Sequence, residues 1–272
     1  MTTFTKRTVL DLCNISSLAY KDQNEMKECY KGKTCDVLCR CINCPVLLES
    51  VKNDCEVYVC NYKTTNKDNL DCLLVSFRGT SELRDIASDL NATRSAMDIV
   101  ENKTYVHSGF YNQFLEIKGQ LDREVEKYYI THCNSPNKQQ IIFCGHSLGG
   151  ALATIATVYY GQKYPSYKVH CVTFGSPRVG GKKFVKMYNK TVDTSYRFVN
   201  NNDIVTMIPT RWRFRHVKGL HWLVKGSVLT TMGYRLYGSF SNTFYNWCGY
   251  GGNSSFDDHG CDKYITNIQK NC

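Results

Sequence analysis

A serine set among glycines, an aspartate 56 residues after it and a histidine 56 residues after that are the side chains of this sequence best suited to chemistry. Ser147 lies in Gly145-His146-Ser147-Leu148-Gly149, which fits the G-x-S-x-G pattern of a nucleophile elbow. A serine hydroxyl is a weak nucleophile until a base takes its proton. The base in turn needs a carboxylate to hold its tautomer and steady the imidazolium that forms. Asp203 in RFVNNNDIVTMIP and His259 in FDDHGCDKYI supply both, in the order Ser, Asp, His. The chemistry implied is acyl transfer. A five-residue pattern is weak by itself in a chain with 19 glycines, because Ser147 would also serve as a plain helix cap. Asp257 and Asp258 compete with Asp203, although they adjoin the presumed base. His216 and His221, in a basic stretch, and His146, expected to pack beside the elbow, compete with His259.

The elbow has meaning only between a buried strand and a helix, and the neighbouring sequence predicts that context. IIFC (141–144) is a short apolar run, the form of a strand buried on both faces, and it leads straight into the serine turn. LGGALATIATVYYGQKY follows as an Ala-rich helix. Upstream, residues 5–20 read as a helix with Val9, Leu10 and Cys13 on one face. CEVYVCNY (55–62) and CLLVSF (72–77) read as strands. From Gly109, the spacing of Phe110, Phe114, Ile117, Leu121, Val125 and Tyr128 is that of an amphipathic helix. KVHCVTFG (168–175) and SYRFVN (195–200) are further strands. Strands alternating with helices predict a mostly parallel sheet with helices on both faces.

Four more stretches stand in order around the triad candidates: VSFRGT (75–80), VHSGF (106–110), TFGSPRVGG (173–181) and RHVKGLHW (215–222). With the elbow, they make the chain resemble the fungal-type, class 3 lipases from about residue 70 to about residue 265. The resemblance implies an α/β-hydrolase fold with a helical lid. It also implies a lipase-like carboxylic-ester hydrolase that needs no cofactor and no metal, with a lipid ester as substrate and a lipid–water interface as transient partner. It selects His259 over the other histidines. The Leu148 N–H, at a helix start just after the nucleophile, is one candidate oxyanion donor; the resemblance makes Thr80 the second. SELRDIASDL follows, with Leu83, Ile86, Ala87 and Leu90 on one helical face. In lipases of this type the equivalent segment is the lid, so residues 81–95 are the candidate lid and Leu83, Ile86 and Leu90 its substrate-facing residues. Residues 226–256, rich in Gly, Tyr and Ser, match no family motif and are expected to line a rim of the acyl pocket. Two alternatives stay open: an esterase for short or aryl esters on the same fold, and a catalytically silent protein that binds lipid or an anionic surface.

Composition bounds these readings. The chain has 272 residues, 42% hydrophobic, enough to fill a sizeable core, and reads as one domain over 1–272. The net charge of +10 would suit an anionic partner, but it is diffuse. The densest basic stretch, RWRFRHVK (211–218), alternates as a half-exposed strand would and reads as a solvated strand in preference to a nucleic-acid or lipid-headgroup patch; no nucleic-acid partner is expected, and the chain is expected to be a monomer. Fifteen cysteines are present, eight of them from Cys29 to Cys72. This Cys-rich segment (29–72) is compatible with disulfides, reduced thiols or a metal cluster, and its C-x-x-C spacing lacks the separated second pair of a strong zinc site. Cys144 and Cys171, in apolar strands, are expected to be buried and inert. No secretory signal is visible, which leans toward the cytoplasm. The cysteines lean toward secretion, and five N-x-[ST] sequons add little to either side.

Overall fold

In the computed structural model, residues 4–31, 40–50, 55–65, 71–80, 93–100, 103–135, 138–224, 227–230 and 256–271 are described. Helix α1 (Lys6–Leu18) begins at Thr5, whose side chain accepts a hydrogen bond from the Thr8 amide at 3.2 Å. Helix α2 (Gln23–Lys31) follows. Then come strands β1 (Val46–Glu49), β2 (Glu56–Lys63) and β3 (Asp71–Phe77), and a small hairpin of β4 (Arg94–Met97) and β5 (Thr104–His107). The long helix α3 (Ser108–His132) leads to β6 (Gln140–His146), α4 (Leu148–Lys163), β7 (Lys168–Phe174), α5 (Lys182–Thr191) and β8 (Thr194–Asn200). A 3₁₀ turn (Ile204–Met207), β9 (Leu220–Val224), β10 (Ser227–Thr230) and α6 (Cys261–Asn271) complete the order.

The main sheet runs β1-β2-β3-β6-β7-β8-β9-β10. Its centre, from β3 through β6, β7 and β8 to β9, is parallel, and the pairs at either end are antiparallel. Period-two alternation divides the strands between two cores. Val75, Ile141, Phe143, Val169 and Cys171 pack with α3, α4 and α5; Leu74, Ile142, Cys144, Val172 and Phe174 pack with α1 and α6. Both faces of β3 and β6 are thus buried, which is why those strands read as unbroken apolar runs. Helix α4 is buried on every side from Gly149 to Tyr160, as its Ala-rich, nearly uniform hydrophobicity demands. Cys144 and Cys171 are buried as expected, on opposite faces of the sheet.

Two local expectations are corrected, and within the Cys-rich segment Val46–Glu49 adds an edge strand that the sequence reading did not assign. Residues 211–218 form a turn and one isolated bridge, Arg215 to Gly180, rather than a strand, because the chain there is tied down by neighbouring loops and not by a ladder. The last two residues of the candidate lid, Arg94 and Ser95, belong to strand β4, paired with His107 and Val106. Leu83, Ile86 and Leu90, and nearly all of 226–256, lie outside the described residues.

Candidate active site

Ser147 joins the end of β6 to the start of α4 with φ 56° and ψ −126°, a left-handed conformation that a non-glycine residue adopts only when the surroundings enforce it. Its flanking glycines make that enforcement possible. A Cβ on Gly145 would collide with the Gly149 backbone, and one on Gly149 would collide with the Phe77 carbonyl oxygen. The first turn of α4 therefore lies directly on the end of β3. The Ser147 amide donates to the Phe174 carbonyl at 2.9 Å, which ties the elbow to β7.

Asp203 stands just after β8 and caps the 3₁₀ turn: its Oδ1 accepts from the Val205 amide at 2.9 Å. Its Oδ2 accepts from His259 Nδ1 at 2.8 Å and from the Tyr264 hydroxyl at 2.6 Å. Both Asp203 and His259 are fully buried. His259 Nδ1 therefore carries the proton, and Nε2 is left as the basic nitrogen. Among the described residues, His259 Nε2 and the buried Ser147 hydroxyl have no hydrogen-bond partner. Gly175, at φ 63°, leaves room for this pair, because a Cβ there would lie 2.8 Å from His259 Cε1 and 2.9 Å from Asp203 Oδ2.

The other histidines do different work. His146 donates from Nε2 to the His259 carbonyl at 2.6 Å, so its Nδ1 must accept from the Tyr20 hydroxyl, 2.9 Å away. Burial, reinforced by the nearby His259, pushes its pKa down to about 3 and keeps the ring neutral. It packs beside the elbow as expected, with its ring centroid 4.4 Å from that of His259. His216 bonds the Thr206 carbonyl at 2.7 Å; burial and then the Arg197 charge hold its pKa well below the usual range. His221 bonds the Gly219 carbonyl at 2.9 Å, and burial lowers it too. Asp258, a rival of Asp203, instead accepts from the Asn201 side chain at 3.0 Å and the Asn202 amide at 3.3 Å.

The two oxyanion candidates lie on segments that pack against each other. Leu148 is the first residue of α4, where main-chain N–H groups lack partners within the helix. Thr80 ends the Arg78-Gly79-Thr80 stretch after β3. A Cβ on Gly149 would fall 2.9 Å from the Arg78 carbonyl oxygen, so that stretch runs against the start of α4. Three parts of the site were missed in the sequence: Tyr264, the Tyr20–His146 pair and the Asn200–Asn202 grip on Asp258. The run NNND directly after a buried strand was the one visible signal, since so polar an exit requires partners.

A family model described as lipase (class 3) matches residues 74–212, just over half of the chain. The chain belongs to the class 3 lipase family. The matched span holds Thr80, Ser147, Leu148 and Asp203 but stops short of His259. Among curated members of wider kinship, this class 3 lipase-family chain is 34% identical to the toxin TseL of Vibrio cholerae over 139 residues, 51% of this chain and 20% of that protein. It is 28% identical to secreted mono- and diacylglycerol lipase 1 of Fusarium solani over 156 residues, 57% of this chain and 44% of that one. The match thus spans less than half the length of either relative. A solved triacylglyceride lipase of Rhizomucor miehei superposes with a TM-score of 0.70 at 22% identity, covering 93% of this chain and 92% of that one. The fold is that of the α/β-hydrolases, with the mostly parallel sheet and helices on both faces described above.

Proposed function

We propose that this protein is a serine carboxylic-ester hydrolase that cleaves acylglycerols or related lipid esters through an acyl-enzyme. Ser147 attacks the ester carbonyl while His259 Nε2 takes its proton. Asp203 holds the imidazole in the required tautomer and steadies its charge. The Leu148 N–H and Thr80 receive the oxyanion, with loss of one such donor typically costing about 3 kcal/mol of barrier. His259 then returns the proton to the leaving alcohol, and a water, deprotonated by the same nitrogen, releases the acid. The carrying observation is the 2.8 Å Asp203–His259 hydrogen bond, which leaves Nε2, like the Ser147 hydroxyl, buried and with no hydrogen-bond partner among the described residues. The common sheet shared by both helix layers supports treating residues 1–272 as one working unit.

Because Ser147 and His259 are both fully buried, an ester reaches them only after an opening motion. We assign that motion to the 81–95 segment on its sequence pattern; a jump in rate when a dispersed substrate becomes an emulsion is the expected result, and a smooth rise would remove the lid from the account. The central test is labelling by a fluorophosphonate probe and release of fatty acid from diacylglycerol. Both are expected of the wild type and absent from Ser147→Ala. An unlabelled wild type would leave a lipid-binding protein without catalysis, and a chain-length series of p-nitrophenyl esters separates lipase from short-chain esterase.

A further inference from the structure

Trp212 is 93% exposed, the most exposed of the large hydrophobic side chains among the described residues. It does not sit on a loose tip. Arg178 donates to the carbonyls of Met207 and of Pro209, the latter at 2.9 Å, and the Arg215 amide donates to the Gly180 carbonyl at 2.8 Å. Phe214, two residues on, is fully buried, with its ring 5.7 Å from that of His107. The turn is pinned on both sides of Trp212, so the fold holds this indole in water rather than letting it escape there. Arg213 and Arg215 are exposed beside it, and Arg211 is half-exposed.

The neighbouring surface continues the pattern. Gly181 caps α5, and a Cβ there would lie 3.4 Å from the Arg213 carbonyl oxygen and 4.0 Å from the Arg94 guanidinium. The β4–β5 hairpin, the 209–215 turn and the start of α5 therefore meet at one point. Arg94 lies 5.6 Å over the ring of Tyr105, which is itself 43% exposed, and Lys182 and Lys183 are exposed on the first turn of α5. Residues 94–97, 104–107, 178–186 and 209–218 contain no Asp or Glu. This face adjoins the reaction edge of the sheet: the Ser176 side chain packs on Gly150 of the elbow helix, two residues before Arg178.

We propose that this face is a docking surface for an anionic lipid bilayer, with Trp212 entering the headgroup boundary and the surrounding arginines and lysines drawing in lipid phosphates and carboxylates. An amphipathic indole suits that boundary, and clustered basic residues suit a negative leaflet. The proposal deepens the lipid-hydrolase reading, on which it rests for the choice of partner, and would hold the elbow edge toward its substrate layer.

The test uses the full chain carrying Ser147→Ala, so that vesicles stay intact, in flotation with vesicles of phosphatidylcholine alone and of phosphatidylcholine containing phosphatidylserine. Binding should favour the mixed vesicles and weaken at high salt. It should fall roughly 30-fold in Arg211→Gln/Arg213→Gln, at about a fivefold factor per basic residue. Trp212→Ala should lose the blue shift of indole emission on binding, while Lys127→Gln, on a distant exposed site of α3, should bind as before. Equal binding to both vesicle types, or binding unmoved by these variants, overturns the proposal. So does tighter binding to a duplex RNA that Trp212→Ala leaves intact. Fluorophosphonate labelling, with Ser147 restored, keeps the two readings apart: labelling with no vesicle preference sinks only the docking surface, and an unlabelled chain sinks the hydrolase.

Discussion

Tyr264 turns an ordinary Asp–His pair into a network. Its hydroxyl donates to Asp203 Oδ2 at 2.6 Å and accepts from the Asn200 amide at 3.0 Å, all in a buried setting. Removing that hydroxyl leaves the carboxylate under-bonded and free to reorient, and strands the Asn200 amide. Tyr264→Phe is therefore expected to lower kcat about tenfold with KM nearly unchanged, and to lower stability by about 1–2 kcal/mol; ester kinetics and urea unfolding check the two parts separately. Arg197 presents the opposite case. It is 6% exposed, its Nε has no partner among the described residues, and its charge disfavours protonation of His216 nearby. Burying a guanidinium on such terms is unfavourable, so Arg197→Met is expected to leave stability unchanged or raise it by about 1 kcal/mol in urea unfolding.

At the scale of elements, the position of His259, the proposed base, is set by a clasp between the end of β8 and the segment before α6. The Asn200 side chain donates to the Asp258 carbonyl at 2.9 Å, Asn201 and Asn202 hold the Asp258 carboxylate, and the Asn267 side chain on α6 donates back to Asn200 at 2.6 Å. From the other side, His146 holds the His259 carbonyl. Asp258→Ala removes part of the clasp without touching the triad. The expected outcome is slower fluorophosphonate labelling, by about tenfold, with the melting temperature lowered by only a few degrees; an unchanged labelling rate would show that the remaining bonds suffice. A second tie joins α1 to the segment ahead of β1. Buried Asp11 accepts from Arg40 Nε at 2.6 Å and from the Tyr62 hydroxyl at 3.2 Å. Its carboxyl is nonetheless raised, since burial outweighs the attraction of Arg40. Asp11→Ala strands Arg40 and is expected to cost about 2–3 kcal/mol in urea unfolding.

The whole molecule should be acid-sensitive for a reason visible in its interior. His146 and His170 are buried, and burial pushes them down to about 3 and about 4 respectively. An unfolded histidine titrates near 6.5, so below that pH the unfolded chain binds protons that the native state refuses. The stability these rings contribute is full above about pH 6.5 and is lost as pH falls from there toward 4 and 3. Between pH 6 and pH 5 the two together should remove about 2 kcal/mol, measured by urea unfolding at each pH. A chain of net charge +10 gains further self-repulsion over the same range. His170→Gln should flatten the profile, while a flat wild-type profile would mean that these rings are less desolvated than their burial implies.

The central architecture was readable from residue order because it rests on local physics. Unbroken apolar runs can only be strands covered on both faces, a 3.6-residue period marks α3, and glycines on either side of Ser147 mark a turn tight enough to raise a side chain above a sheet. Edge strand β1, the β4–β5 hairpin and the turn at 211–213 were not readable, because each is short and is held by another segment rather than by a pattern of its own: Val46 by Val59, Arg94 by His107, the turn by Arg178. The alternation of RWRFRHVK looked like a strand, and only tertiary ties turned Phe214 inward and Trp212 outward. Among the histidines, the family resemblance singled out His259, while residue types alone left His146, His216 and His221 in competition. Residue types and their order were enough to nominate an acid, a base and a nucleophile. Which carboxylate meets which imidazole was decided by the convergence of β6, β8 and the approach to α6 at one edge of the sheet, since a hydrogen bond acts over about 3 Å and is blind to sequence distance.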